Sequence, residues 1–230
     1  MKLFYGEIFP EILIHEDEQQ HILKVLRIKS GEEIFVTDGQ GNLAKGHLRI
    51  EGKRAALDVV EIEKEYPAFA PKLHIAIAPT KNIDRIEFFV EKAVEMGISE
   101  ITFLNTDNTE RRNINIDKLR KQAIGASKQS LRRHFPVVND LVKFKDFIKD
   151  IDVETTYVAH CVETLERIPI QDIGAQEKIT VLIGPEGDFS EQEIQVLIDR
   201  GVRAVTLGNQ RLRTETAGIY VAAWNYYQMK

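Results

Sequence analysis

Residues 178–227 read KITVLIGPEGDFSEQEIQVLIDRGVRAVTLGNQRLRTETAGIYVAAWNYY. Two strand–loop–helix units follow one another here. KITVLIG is a short apolar run with β-branched residues at its centre, the pattern of a strand buried on both faces. Ser190 and Glu193 form a capping box that opens a helix, and Gly201 closes it. RAVTLG reads as the next strand, and TETAGIYVAAWNYY as a last helix. Ile219, Val221, Ala222, Trp224, Tyr226 and Tyr227 make that helix apolar nearly all round, which suits burial or a contact between copies. Strands alternating with helices predict a mostly parallel sheet covered on both faces, and such sheets build ligand sites beyond the carboxyl ends of their strands.

The alternation extends back to residue 71. HIAIAP, ITFLN and TTYVAH are further strands. Residues 82–96 place Ile83, Ile86, Phe89, Val90, Ala93 and Val94 at helical spacing before Gly97. A basic helical region follows ITFLN, and a short helix is expected near residues 144–148. The YPAFAP run at 66–71 reads as a linker, because proline restricts both itself and the residue before it. It predicts a boundary near residue 70. The preceding residues read as short strands: EEIFVTDGQGN with its turn-forming Asp38-Gly39 and Gly41-Asn42, then LAKGHLRI and RAALDVVEIE. One amphipathic helix is expected over 17–27, with His21, Leu23, Val25 and Leu26 inward. A small β-barrel at 1–70 and an α/β domain at 71–230 are therefore expected.

The 230 residues hold 31 Lys+Arg against 36 Asp+Glu, net -5, with 43% apolar content. That apolar content can fill a core, which excludes a disordered chain. No run approaches the length of a membrane span, and the first residues do not read as a secretory signal, so a cytoplasmic protein is expected. The single cysteine, Cys161, excludes an internal disulfide and a four-cysteine zinc site. Charge is uneven. Residues 71–150 hold 15 basic and 11 acidic residues, net +4, and residues 111–133 hold eight basic residues against Asp117 alone, net +7. Such a stripe suits a polyanion such as a phosphate backbone, or a solvated helix face.

Standard nucleotide fingerprints are absent. No G-x-G-x-x-G follows a strand, and the run from Gly46 to Lys53 has the wrong spacing for a phosphate loop, with Arg54 where Ser or Thr should stand. The histidines show no zinc spacing. Neighbours in a strand point to opposite sides, so His160 and Cys161 are poorly arranged as base and nucleophile. Three strand ends remain unlike ordinary loops: the end of TTYVAH into Cys161-Val162-Glu163, the stretch 183–190 (IGPEGDFS), and the stretch 207–217 (LGNQRLRTETA). Each reads as a turn and helix cap or as a ligand loop. Two polar, glycine-bearing stretches in one chain, both at strand ends, favour a ligand site.

At these residues the sequence resembles the RsmE family, 16S ribosomal RNA uridine-N3 methyltransferases of the SPOUT class. IGPEGDFSEQE with LGNQRLRTETAGIYV carries the resemblance. KNIDRIEFFVEKAVEMGISEITFLNTDNTERR and KQAIGASKQSLRRHFP resemble the family's central segment, and HILKVLRIKSGEEIFVTDGQGN its N-terminal PUA-like barrel. Two departures stand out. Asp188 sits where members often have a second glycine, and Gln210-Arg211 precede Leu212-Arg213 where members often read Leu-Gly-x-Arg-aliphatic-Leu-Arg. The resemblance implies a PUA-like β-barrel followed by a SPOUT α/β domain with a deep trefoil knot, a homodimer, no metal, and S-adenosylmethionine bound in a bent form among the three loops. It implies cofactor contacts at His160, Ile183, Gly184, Glu186, Gly187, Leu207, Gly208, Leu212 and Thr216. Methylating uracil N3 requires its proton to leave, so a cation or a base is needed. Arg213 is the candidate cation. Glu215 is a candidate base or orienting partner, or simply a helix cap. Arg27, Arg111, Arg112, Arg132 and Arg133 are the candidate contacts to small-subunit ribosomal RNA, free or in an assembled subunit. Two other readings stay open: a SPOUT methyltransferase acting on another RNA, and an RNA-binding protein without catalysis.

Overall fold

The computed structural model describes residues 1–162 and 165–228. The chain divides into two compact units. The first comprises Met1–Ala68 together with Ile124–Phe135, and the second Phe69–Ala123 together with Pro136–Lys230.

The first unit holds β1 (Leu3–Glu7), β2 (Leu13–Ile14), α1 (Glu16–Gln20), a π-helical turn (His21–Leu26), β3 (Glu33–Thr37), β4 (Leu43–Glu51) and β5 (Arg54–Glu63). They form a five-stranded sheet in the order β2-β1-β3-β4-β5, antiparallel except for β1 with β3. The sheet curls, and Gln19 ties its two edges together. Its Nε2 donates to the Ile14 carbonyl of β2 at 2.8 Å, while its Oε1 accepts from the Ala55 N–H of β5 at 3.1 Å. Phe4, Ile8, Ile22, Ile34, Val36 and Leu48 fill the interior. The single helix expected over 17–27 is instead α1 followed by the π-helical turn, which ends at Arg27 in the left-handed region (φ 50°). The wider turn changes which face points inward. Ile22 is fully buried, while His21, Val25 and Leu26, expected inside, are exposed.

Between Ile124 and Phe135 the chain returns to this unit. Lys128 pairs with the buried Glu18, and Arg133 with Glu63. The Gly41 N–H donates to the Arg133 carbonyl, and the Phe135 N–H to the Gly39 carbonyl, both at 2.9 Å.

The second unit is built on β6 (Lys72–Ile77), α2 (Ile83–Glu95), β7 (Glu100–Asn105), the start of α3 (Ile116–Gln129), β8 (Val137–Lys143), α4 (Phe144–Phe147), β9 (Thr156–Ala159), β10 (Ile168–Pro169), β11 (Lys178–Ile183), α5 (Glu191–Asp199), β12 (Arg203–Thr206) and α6 (Thr214–Gln228). Its seven strands run in the order β10-β12-β9-β11-β6-β7-β8, all parallel. The sequence pattern missed β8 and β10. Both are edge strands, and β8 carries exposed Val137 and Asp140, so its apolar signal is weak. The Asn82 side chain caps α2 by accepting from the Asp84 N–H at 3.0 Å. The Ser190–Glu193 capping box of α5 is present with both reciprocal bonds. α6 packs on α2, β6 and β11. Its Val221, Ala222 and Trp224 are buried, whereas Tyr226 and Tyr227 are exposed.

Among the described residues, no helix is long and apolar enough to cross a membrane, and no group of three or more His, Cys, Asp or Glu side chains could hold a metal ion.

Candidate active site

The loops after β9, β11 and β12 converge at one edge of the second unit's sheet. They enclose a cavity of about 1160 Å³. His160 and Cys161 line it from the first loop, Ile183, Gly184, Glu186 and Asp188 from the second, and Leu207, Gly208, Leu212 and Arg213 from the third. The open α/β sheet thus places a pocket where its strands end.

Hydrogen bonds hold the loops to each other. The Asp188 carboxylate accepts from the Cys161 N–H at 2.7 Å and from the Phe189 N–H at 2.8 Å, joining the first loop to the second. Asp188 has φ 63°, a conformation glycine adopts freely and aspartate tolerates better than most residues. The departure from glycine at this position is therefore compatible with the turn and adds a carboxylate that bridges two loops. Gly184 sits where the second loop folds back on itself, and a Cβ there would lie 3.0 Å from the Phe189 nitrogen. The Thr214 hydroxyl, at the start of α6, donates to the Gly184 carbonyl at 3.0 Å and joins the third loop to the second.

His160 is 5% exposed. Its Nδ1 accepts from the Val162 N–H at 3.1 Å, and its carbonyl accepts from Arg167 Nη1 at 2.8 Å. Burial lowers its pKa, opposed by Asp188 and assisted by Arg167. A neutral ring with Nδ1 as acceptor carries its proton on Nε2. That Nε2 is buried and has no hydrogen-bond partner among the described residues, although His160 itself lines the cavity. Glu163, the next residue of interest on this loop, lies outside the described residues.

The geometry separates the two candidate catalytic residues. Arg213 is exposed on the cavity wall and makes no ion pair among the described residues. Glu215 is buried in the first turn of α6 and is not part of the wall. Its Oε1 lies 3.7 Å from Arg85 Nε, and its Oε2 has no hydrogen-bond partner among the described residues. Thr216 is exposed on α6 and Gly187 on its loop, both outside the wall. Arg85 carries no motif that a sequence reading could single out. Glu186 turns toward the loop after β6, where its Oε1 accepts from the Lys81 N–H at 3.0 Å.

The chain matches the family described as RNA methyltransferase domain over residues 68–225, and the RNA methyltransferase PUA domain over residues 14–60. The chain belongs to the RNA methyltransferase family. It is 27% identical over 216 residues to the ribosomal RNA small subunit methyltransferase E of Rickettsia conorii, covering 93% of this chain and 88% of that one. A crystal structure of a "probable rRNA-methyltransferase" from Porphyromonas gingivalis superposes with TM-score 0.89 at 35% identity, covering 97% of this chain and 96% of the other. The ribosomal RNA small subunit methyltransferase E of Neisseria gonorrhoeae, bound to S-adenosyl methionine, superposes with TM-score 0.81 at 26% identity, covering 97% and 95%.

In this RNA methyltransferase the five arginines read as RNA contacts differ in what they already bond to. Arg27 is exposed at the end of the π-helical turn, with no ion pair among the described residues. Arg111 directs Nε and Nη2 onto the Lys81 carbonyl at 2.9 and 2.7 Å, so it braces the loop that also holds Glu186. Arg112 donates to the Thr109 and Asp107 carbonyls at 3.3 and 3.4 Å. Arg132 is 7% exposed, and burial lowers its pKa to about 10. A side chain so enclosed is not the surface contact that the charge count suggested. Arg133 pairs with Glu63, and its guanidinium lies 4.5 Å from the Tyr66 ring centroid. Charge density along the sequence could not distinguish these internal uses from a free cationic face.

Proposed function

We propose that this chain transfers the methyl group of S-adenosylmethionine to N3 of a specific uridine in small-subunit ribosomal RNA. The observation that carries the reading is the cavity closed by three strand-end loops and lined by His160, whose buried Nε2 has no hydrogen-bond partner among the described residues. The names of the Rickettsia conorii and Neisseria gonorrhoeae relatives support the substrate, and the latter's bound ligand supports the cofactor.

The residues present fit that cofactor. The backbone groups of Ile183, Gly184, Leu207 and Leu212 would hold its adenosine part, with Gly208 leaving room for close approach. His160 would supply the Nε2–H donor. Glu186, braced by the Lys81 N–H, would shape the ribose and methionine end. Once bound, the cofactor supplies a methyl group already activated by its sulfonium. The protein's part is alignment of the acceptor and management of its proton. Arg213, exposed and without an ion-pair partner among the described residues, would stabilise the uracil anion as the N3 proton leaves. Glu215, turned to Arg85 and absent from the wall, acts as the orienting partner rather than as the base. The target base leaves its stack to reach the cavity, which unpaired RNA makes less costly. We also propose a cytoplasmic homodimer, supported by exposed Tyr226 and Tyr227 on α6, and the trefoil knot that the family resemblance implies.

The test is methyl transfer from labelled cofactor to small subunits lacking the modification, with the product mapped by mass spectrometry. A 3-methyluridine at one position is expected, and Arg213→Ala should reduce transfer at least tenfold while cofactor binding persists. Transfer only to another RNA would move the target. Folded protein with neither cofactor binding nor transfer would leave an RNA-binding module.

A further inference from the structure

We propose that a second cavity, at the carboxyl ends of β7 and β8, seats a phosphodiester of the RNA strand that carries the target base. The proposal rests on the methyl-transfer reading above and adds a substrate subsite to it. The cavity is about 350 Å³, and its lining includes Asn105, Arg112, Lys143 and Lys145 together with Asp107 and Glu193.

Its charges are not equivalent. Both carboxylates are already engaged. Asp107 Oδ2 accepts from the Ser190 hydroxyl at 2.8 Å, and Glu193 accepts from the Asp107 N–H at 3.0 Å and the Ser190 N–H at 2.9 Å. The cations are differently placed. Lys143 and Lys145 are exposed and make no ion pair among the described residues. Arg112 is anchored through Nε and Nη2 to backbone carbonyls, which holds its guanidinium in place and leaves its other N–H groups for a ligand. Three cations against two internally bonded carboxylates suit a group of one negative charge. The aromatic residue on the wall, Phe144, is buried, so it offers no face for stacking a base. The chemistry therefore reads phosphate, not sequence.

The position also suits an RNA strand. Asn108 Nδ2 donates to the Gly187 and Asp188 carbonyls at 3.3 and 3.1 Å, so the loop after β7 is bonded to a loop that closes the first cavity. The strands between the two cavities are hydrogen-bonded neighbours in one sheet. At ~4.8 Å per strand, the centres of the two cavities lie roughly 17 Å apart along the same edge. A strand with its target base in the first cavity reaches the second within a few nucleotides.

The test uses the full chain with Lys143→Gln/Lys145→Gln and Lys143→Glu/Lys145→Glu. Both positions are exposed, which favours folding of the variants. Charge reversal should raise KM for unmodified small subunits at least tenfold and leave cofactor affinity, read by calorimetry, within twofold. In the Gln variant the slope of log affinity against log salt should fall by about 0.7, the contribution of one phosphate contact to a single strand. An unchanged KM and salt slope in folded variants would overturn the proposal. So would saturable binding of inorganic phosphate that the variants abolish without any change in KM, which would make the cavity a site for a free anion. Should the wild-type protein transfer no methyl group, the reaction reading fails separately. Filter binding of small-subunit RNA by the same variants would then decide the subsite by the same salt-slope criterion.

Discussion

Asp188 shows how much one side chain can do at this site. Its carboxylate holds two backbone N–H groups on two loops while its own backbone sits at φ 63°. Hydrogen bonds to charged groups contribute about 1.5–3 kcal/mol each, so losing this pair should loosen the first loop. Asp188→Ala removes both bonds and strains the backbone. It should weaken S-adenosylmethionine binding by roughly tenfold or more in calorimetry. Asp188→Asn keeps one of the two acceptor oxygens and tolerates the left-handed region, and should restore part of that loss. Equal affinity in Asp188→Ala and wild type would mean that the bridge does not shape the pocket. His74 is a separate case, set mainly by burial. Its Nε2 lies 2.8 Å from the Thr102 hydroxyl, and burial pushes its pKa down from 6.5 to about 4 despite nearby Glu100. The unfolded chain therefore takes up this proton near pH 6.5, and the folded chain only near 4. Protons favour unfolding across that window. Stability is fully present above about pH 6.5 and is lost as pH falls toward 4, by up to about 3 kcal/mol from this residue. Denaturant midpoints measured from pH 7 to 4 should show that slope, and His74→Gln should flatten it.

At the scale of elements, α6 is fitted to its neighbours through a residue with no side chain. A Cβ on Gly218 would lie 2.6 Å from Phe89 Cδ2 and Cε2 and 3.2 Å from Ile77 Cδ1. Phe89 and Ile77 are both fully buried, so neither can swing away. Overpacking of this kind costs about 1–3 kcal/mol, offset by about 1 kcal/mol of better helix propensity. Gly218→Ala should lower Tm by a few degrees in calorimetry, and Phe89→Leu in the same chain should relieve part of the loss. A rise in Tm would mean that α6 can slide on α2. The same elements mark what the sequence could convey. α2, α5 and α6 were legible because caps and apolar spacing are local signals, and β6, β9, β11 and β12 because they are short buried runs. The π-helical turn was not, since the widened turn at His21–Leu26 is chosen by what Ile22 packs against. Nor was the partition of the site's arginines, because whether Arg111 meets a phosphate or the Lys81 carbonyl depends on a residue thirty positions away.

On the scale of the whole molecule, the YPAFAP run fell near the end of the first unit's leading segment, but nothing local announced that residues 124–135 rejoin that unit. The basic charge of this region invited an external partner, yet Lys128 meets Glu18 and Arg133 meets Glu63 within the first unit. The contribution is structural. Glu18 is 7% exposed, and without Lys128 it becomes a buried carboxyl lacking its cation. Breaking such a pair costs about 3–5 kcal/mol, comparable with the whole stability of a domain this small. The backbone bonds from Gly41 to Arg133 and from Phe135 to Gly39 would be lost as well. A fragment of residues 1–68 should therefore unfold without a cooperative transition in urea. The same fragment carrying residues 124–135 on a flexible linker should unfold cooperatively, and Lys128→Met in that linked form should lose much of the gain. Cooperative unfolding of the bare fragment at a matching midpoint would make the returning segment an ornament. The expected outcome instead makes it part of the first unit's core, so the chain builds one unit from two separated segments.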